Sequence, residues 1–234
     1  MTTIDWSKIK VVIFDVDGTL YLQSKLRKKM MKALLTHYLV RPWRAHELKI
    51  LMHFRRERER NHDFDDEDLE TAQYIWCAQK AKYPFPKIRE VVDRWIFQWP
   101  NQYLSSCVYP GVSELFSLLK KQNIKIAIYS DYKSADKLKA MNLEADLIVA
   151  STDPHVDRLK PNPKALFYIA DQLKVAPEEC LFIGDRQELD GECAERAGMP
   201  YLIVDKKPLA EFDFYTLLNK SLDNSLNHSI PQPL

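Results

Sequence analysis

Two carboxylates stand two residues apart in Asp15-Val16-Asp17-Gly18-Thr19, directly after the apolar run Val11-Val12-Ile13-Phe14. In extended backbone, residues two apart point the same way, so Asp15 and Asp17 can converge on one site. Adjacent acids repel, and a divalent cation with oxygen ligands is the natural group to offset them. Three more stretches carry reactive side chains: Ser130-Asp131 after an apolar run, Lys160-Pro161-Asn162-Pro163, and Gly184-Asp185-Arg186-Gln187-Glu188-Leu189-Asp190. Together they supply a carboxylate nucleophile, a second carboxylate, a hydroxyl, an ammonium and a further acid pair. That set suits phosphoryl transfer. A carboxylate attacks, a cation and an ammonium offset phosphate charge, and N–H and hydroxyl donors hold the oxygens. Alone, the first stretch is equally what an acidic turn looks like. The other three give it weight.

Those groups must be positioned by strand ends. Residues 9–15, 124–130, 146–150, 180–184 and 200–204 are short apolar runs of the kind that make strands buried on both faces. Helical spacing separates them at 112–122, 133–141, 163–174, 187–197 and 210–222. Alternating strands and helices predict an α/β fold, a doubly wound parallel sheet with right-handed crossovers. In such a sheet the carboxyl ends lie on one edge, where ligands bind. The tail after Asn224 is polar and contains Pro, and is expected to be disordered.

Residues 21–106 read differently. No glycine falls between 19 and 110, and charges and aromatics recur at helical spacing. Met30, Leu34, Leu35, Tyr38 and Leu39 fit one helix face; Leu48, Leu51, Met52 and Arg55 fit another. Leu69, Ala72, Ile75, Trp76 and Gln79 fit a third, and a fourth helix runs from Ile88 to Trp99, ended by Pro100. The expected organisation is a Rossmann-like core from residues 1–20 and 107–234, with a helical cap at 21–106. Tyr21, Leu22 and Gln23 would be the hinge, and closure would exclude water.

In these motifs, in this order, the chain resembles the haloacid dehalogenase superfamily, in its phosphatase branch with a helical cap (phosphoglycolate phosphatase-like). The resemblance covers residues 9–20 and about 109–204; the cap matches in position and helical character alone. It implies that Asp15 is the nucleophile and a magnesium ligand. Asp17 would be the general acid and base, binding Mg2+ through its backbone carbonyl. Ser130 would hold the phosphate, with the backbone of Val16 and Gly18 helping. Lys160 would balance the charges of nucleophile and phosphate. Asp185 would complete the metal site, with Asp190 behind it or as a weaker ligand. True dehalogenases of this fold lack an acid at the position of Asp17, and the phosphonate-cleaving branch usually has Ala there, so Asp17 favours phosphate-ester hydrolysis. Two departures stand out: the stretch before Lys160 lacks a frequent glycine, and Asn162 replaces a frequent Asp. The implied substrate is a small phosphorylated metabolite. The alternatives are a phosphomutase or phosphotransferase using the same aspartyl-phosphate, and a non-catalytic binding protein, against which the intact set of reactive residues argues.

The formal net charge of +1 gives no bulk reason to expect a nucleic-acid or membrane partner. The first six residues carry no secretory h-region, and no apolar run approaches a membrane span. Cys77, Cys107, Cys180 and Cys193 show no metal spacing and are expected as reduced core thiols. A cytoplasmic protein is the expectation. The charge is divided, however: residues 21–106 hold 17 Lys/Arg against 11 Asp/Glu, and the remainder 17 against 22. A basic cap over an acidic core would attract an anion, and Arg55 and Arg56 are its obvious agents. The run from Arg55 to Arg60 otherwise reads as a solvated face. Arg186 is expected to bridge to Glu188 or Asp190 as readily as to touch phosphate. His53 and His62 are candidate substrate contacts, although a histidine with no such role is the commoner case. Trp76, Trp95 and Trp99 read as packing residues.

Overall fold

A computed structural model describes residues 4–227. The chain runs β1 (Val11–Phe14), α1 (Gln23–Leu39), α2 (Glu47–Arg60), α3 (Leu69–Ala81), α4 (Phe85–Val92), α5 (Asn101–Leu104), α6 (Val112–Lys121) and β2 (Lys125–Ser130). It continues through α7 (Ala135–Ala140), β3 (Leu147–Ala150), α8 (Lys164–Leu173), β4 (Cys180–Gly184), α9 (Glu192–Ala197), β5 (Tyr201–Ile203) and α10 (Phe214–Asn227). The strands form one parallel sheet in the order β3-β2-β1-β4-β5. β1 lies at the centre, with Phe14 level with Ile128 on one side and Ile183 on the other.

The apolar runs are strands because both faces are covered. Val12, Phe14, Ile126, Ile128 and Leu181 face α6, α10 and the inserted helices. Val11, Ile13, Ala127, Tyr129 and Phe182 face α8 and α9. The four residues of β1 have no exposed surface, so alternation of polar and apolar residues is not possible there. The apolar cluster on the first face runs without a break into the insertion, through Leu104, Trp95, Ile88 and Phe54.

Several expected helix faces are rotated. On α1 the inward residues are Leu26, Met30 and Tyr38, whereas Leu35 and Leu39 are exposed. On α2, Ile50, Leu51 and Phe54 are buried and Leu48 and Met52 point out. On α3, Leu69, Gln73, Tyr74 and Cys77 are inward and Ile75 is out. A run of apolar residues wider than one face leaves the choice of inward stripe to the neighbours it packs on. Pro100 does not end the helical stretch. It stands just before α5, where its missing N–H is not needed, and the coil continues to Cys107. At the other terminus α10 runs through Asn227, so the stretch 225–227 is helical; the rest of the expected disordered tail lies outside the described residues. The four cysteines are free and buried, and Trp95 stacks on Trp99 at 4.7 Å between ring centroids.

Candidate active site

The β1–α1 turn begins at a buried strand end. Asp15 hangs from the sheet through its N–H, which donates to the Ile183 carbonyl at 2.9 Å. The Thr19 hydroxyl donates to Asp15 Oδ2 at 3.0 Å, and the Tyr215 hydroxyl from α10 donates to the Thr19 carbonyl at 2.8 Å. The carboxylate is therefore fixed from its own loop, and the loop from behind. Gly18 is required between them. Its φ is +99°, and a Cβ there would lie 2.2 Å from Asp185 Oδ2.

Lys160 arrives from the segment after β3. Its ammonium is fully buried and donates to Asp15 Oδ1 at 2.6 Å and to Asp190 Oδ1 at 2.8 Å. Asp190 comes from the turn after β4. Its Oδ2 accepts from the N–H groups of Asp185 and Arg186, each at 3.0 Å. The approach is close enough that a Cβ on Gly184 would sit 2.2 Å from the Asp190 Cβ. Asp185 completes the group, with Lys206 reaching it at 2.8 Å from the loop after β5. One oxygen from each of Asp15, Asp185 and Asp190 falls within 4.8 Å of the others.

The electrostatics follow from burial and these partners. Burial pushes the Asp15 carboxyl up to about 7, with Asp190 and Asp185 adding to the rise and Lys160 opposing it. Burial also raises Asp185, only partly offset by Lys206. For Asp190 the outcome reverses. Burial would raise it, yet Lys160 and the two N–H donors hold it low. Burial works against the charge of Lys160, but Asp15 and Asp190 together hold its ammonium charged well above the usual range. Asp15, Asp185, Asp190 and Asp131 face Lys160, Lys206 and Arg186, which leaves one negative charge in excess. All the donors are hard oxygens, so the triad fits a hard divalent cation such as magnesium.

Asp17 stands apart from that triad. Its carboxylate takes both oxygens to the buried Lys137 ammonium of α7, at 2.6 and 2.7 Å, and accepts from the Tyr21 hydroxyl at 2.5 Å. Burial would raise it, but Lys137 outweighs burial and keeps it below the ordinary carboxylate range. Ser130 ends β2, buried, two residues beyond the Phe14–Ile128 pair. Its hydroxyl accepts from the Tyr132 N–H at 3.4 Å. Val16 is fully buried. Tyr21 pairs with Val108 in an antiparallel bridge, so the two chain crossings between sheet and insertion run side by side.

The structure thus brings Asp15, Lys160, Asp185 and Asp190 into contact and sets Asp17 beside them on a separate partner. Sequence reasoning missed Lys137, Tyr215, Lys206 and Arg58. Lys137 lies in an ordinary amphipathic helix and Tyr215 in another, and no motif marks either. Arg58 corrects the reading of the 55–60 run. Glu57 and Arg58 are buried, because α2 carries them on the same face as Ile50 and Phe54. The Arg58 guanidinium hydrogen-bonds Gln73, donates to the Asp131 carbonyl at 2.7 Å and lies over the Tyr132 ring at 4.2 Å. Arg55 and Arg56 are exposed. Arg186 pairs with Asp131 at 3.5 Å, with Asp185 at 3.9 Å, and with neither expected partner, since Lys160 and backbone N–H groups already occupy Asp190. His62 is an exposed residue paired with Asp63.

Residues 12–204 match the haloacid dehalogenase-like hydrolases. The chain belongs to that family. It is therefore a hydrolase enzyme with the family's Rossmann-like core. The glyceraldehyde 3-phosphate phosphatase of Methanopyrus kandleri is 28% identical to it over 201 residues, 82% of each chain. The β-phosphoglucomutase of Bacillus subtilis is 26% identical over 184 residues, 76% of each. Among solved structures, the 2-haloacid dehalogenase of Pseudomonas syringae pv. Tomato DC3000 superposes with a TM-score of 0.58 over 83% of this chain and 86% of that one, at 19% identity. That likeness is one of fold.

Proposed function

We propose that this haloacid dehalogenase-like hydrolase is a magnesium-dependent phosphatase of a small phosphomonoester, working through an aspartyl-phosphate on Asp15. The observation that carries the reading is the Asp15 carboxylate, held by Thr19 and Lys160 at the mouth of the central strand. A fixed, buried carboxylate beside an ammonium is arranged for attack on phosphorus. A bound Mg2+, held by Asp15, Asp185 and the Asp17 carbonyl with Asp190 alongside, would supply shielding of the phosphoryl charge.

The residues divide the work. Asp15 attacks phosphorus and the ester oxygen leaves. Lys160 offsets charge on nucleophile and phosphate, and the Ser130 hydroxyl with the Val16 and Gly18 backbone cradles the phosphoryl oxygens. Asp17 gives a proton to the leaving oxygen and takes one from the water that cleaves the acyl phosphate. Held by Lys137, Asp17 is ionised, which suits the second step. For the first it must carry a proton, and so must leave Lys137. Residues 21–106 act as a cap over the core formed by 1–20 and 107–234, with Tyr21 at the hinge, and side chains of the cap select the substrate.

The named relatives support a phosphorylated metabolite as substrate, and the mutase among them keeps phosphotransfer as the second reading. The test is phosphate release from a panel of phosphomonoesters with magnesium, beside the Asp15→Asn variant. Magnesium-dependent release abolished in the variant supports the proposal. Transfer to a second hydroxyl without release selects the mutase reading. Equal activity in the variant refutes the mechanism.

A further inference from the structure

The outward face of the first inserted helix gathers exposed apolar side chains and cations unpaired among the described residues. Between Tyr21 and His46 the sequence has seven Lys or Arg and no Asp or Glu. α1 buries Leu26, Met30 and Tyr38 on its inner side. A helix of this kind normally shows polar residues on the outer side. Here Met31 and Leu35 are each 58% exposed, Leu39 78%, Val40 63% and Trp43 71%. These are five of the eleven large apolar side chains exposed among the described residues, and they fall within 13 positions. Met31, Leu35 and Leu39 repeat every four residues, so they form one line along α1. Arg27, Lys28 and Lys32 flank that line, exposed, and with Arg41 make no ion pair among the described residues. A single exposed Leu needs no explanation, but a continuous set marks an interaction surface.

Charge selects the occupant. A second copy docking face to face would set the exposed cations Arg27, Lys28, Lys32 and Arg41 against their own copies. Duplex nucleic acid would satisfy the cations but leave the Met31–Leu35–Leu39 line in water, and one exposed Trp is no stacking platform. An anionic bilayer surface uses both halves. Lys and Arg meet headgroup phosphates, while the apolar line and the Trp ring enter the boundary with the acyl chains. We propose that α1, with the turn carrying Trp43, docks this protein on anionic phospholipid membranes. No described helix is long and apolar enough to cross a membrane, so the helix would lie in the plane of the interface. The net charge of +1 conceals this surface because the acids are concentrated elsewhere in the chain.

The test is flotation of the full chain with vesicles of phosphatidylcholine alone, and with about a third phosphatidylserine, at low and high salt. The proposal expects at least about tenfold stronger partitioning to the anionic vesicles, weakened by salt. It expects at least about tenfold losses in Leu35→Ser/Leu39→Ser and in Lys28→Glu/Lys32→Glu. All four side chains are exposed, so both variants should keep the melting temperature and activity on soluble substrates. An independent reading needs no folded variant of α1. Brominated lipid should quench wild-type tryptophan fluorescence, and Trp43→Phe should lose most of that quenching. Equal partitioning to neutral and anionic vesicles, wild-type binding by either double variant, or tighter binding to duplex DNA than to anionic vesicles would overturn the proposal.

Discussion

Replacing Asp15 by Asn should make the ion-free protein more stable while abolishing turnover. Asp15, Asp185 and Asp190 present oxygens within 4.8 Å of one another. Lys160 and Lys206 supply two ammoniums, at 2.6 Å from Asp15 and 2.8 Å from Asp185. With Arg186 set against Asp131 as well as Asp185, one carboxylate charge is left in excess, and the Asn variant removes it. Burial raises Asp15 from 3.8 to about 7. At about 1.4 kcal/mol per unit, that displacement corresponds to at most roughly 4 kcal/mol of destabilisation above neutral pH. Water entering the site and relaxation of Lys160 reduce it, and about 2 kcal/mol is expected. For a chain of this size that is roughly 4–8 °C in melting temperature. The sign is fixed by linkage. The folded state holds the Asp15 proton more tightly than the unfolded chain, so this contribution favours folding below the ordinary carboxylate range and is lost as pH rises through about 7. The assay is a series of melts in chelator from acid to mildly alkaline pH, repeated with magnesium. The gap between variant and wild type should open as pH rises, and magnesium should narrow it by binding wild type more tightly. A variant that melts below wild type in chelator at alkaline pH, or a gap that ignores pH, would refute the reasoning.

Further outcomes follow from other contacts. Lys137→Met removes the ammonium that holds Asp17 through both oxygens. Burial then raises Asp17 with less opposition, so the acid step keeps its proton donor while hydrolysis of the acyl phosphate, common to every substrate, loses its base. Turnover should fall by about 10–100-fold on alkyl phosphates and on 4-nitrophenyl phosphate alike, less so as pH rises, and a loss confined to alkyl phosphates would refute the assignment. Gly184→Ala places a Cβ 2.2 Å from that of Asp190. It should lower stability by more than about 2 kcal/mol in denaturant titrations and lower activity with it. Glu47 is buried and bound by Lys87 at 2.7 Å, Arg44 at 2.8 Å and Tyr38 at 3.1 Å. Burial would raise its pKa, but those donors hold it below the ordinary 4.5. Its stabilisation is therefore present above that pH and lost below it, and Glu47→Gln should melt lower at neutral pH by about 2 kcal/mol but converge with wild type in acid.

Strand positions were legible because a strand buried on both faces leaves a continuous apolar run. All five fall where such runs stand, within two residues at each end. The meeting of the candidate residues at one sheet edge was legible for the same reason. Asp15, Ser130 and Asp185 are the first polar residues after β1, at the end of β2 and after β4, and a parallel sheet brings those ends to one edge. The insertion was legible as helix but not in its packing. Leu35, Leu39, Met52 and Ile75 sit on periodic positions and face out, while Gln73 and Arg58 face in. Gln73 is inward because it meets Arg58, and Arg58 because it meets the Asp131 carbonyl and the Tyr132 ring. No pattern within one helix records a partner on another element.

Arg58 also bears on how the two halves of the molecule communicate. Asp131 follows Ser130, the last residue of β2. Its carbonyl is bound by Arg58 of the insertion, and its carboxylate accepts from Ser151 at 3.0 Å and meets Arg186, which also reaches Asp185. The residue next to the proposed phosphate-binding hydroxyl is therefore held from both sides. Movement of α2 away from the sheet must break the Arg58–Asp131 bond and the Arg58–Tyr132 stack together. Lys would not replace Arg here, since it has one donor centre and no planar face to lay on the ring. If residues 21–106 move off the core to admit substrate, as the proposed cap would, that movement is tied to the loop proposed to grip the phosphate. The seat of Asp17 on Lys137 and Tyr21 lies on the same route, because Tyr21 belongs to the crossing between sheet and insertion. Such a movement would disturb the contacts of Asp131 and of Asp17 together, while the Asp15–Lys160–Asp190 contacts involve no residue of the insertion.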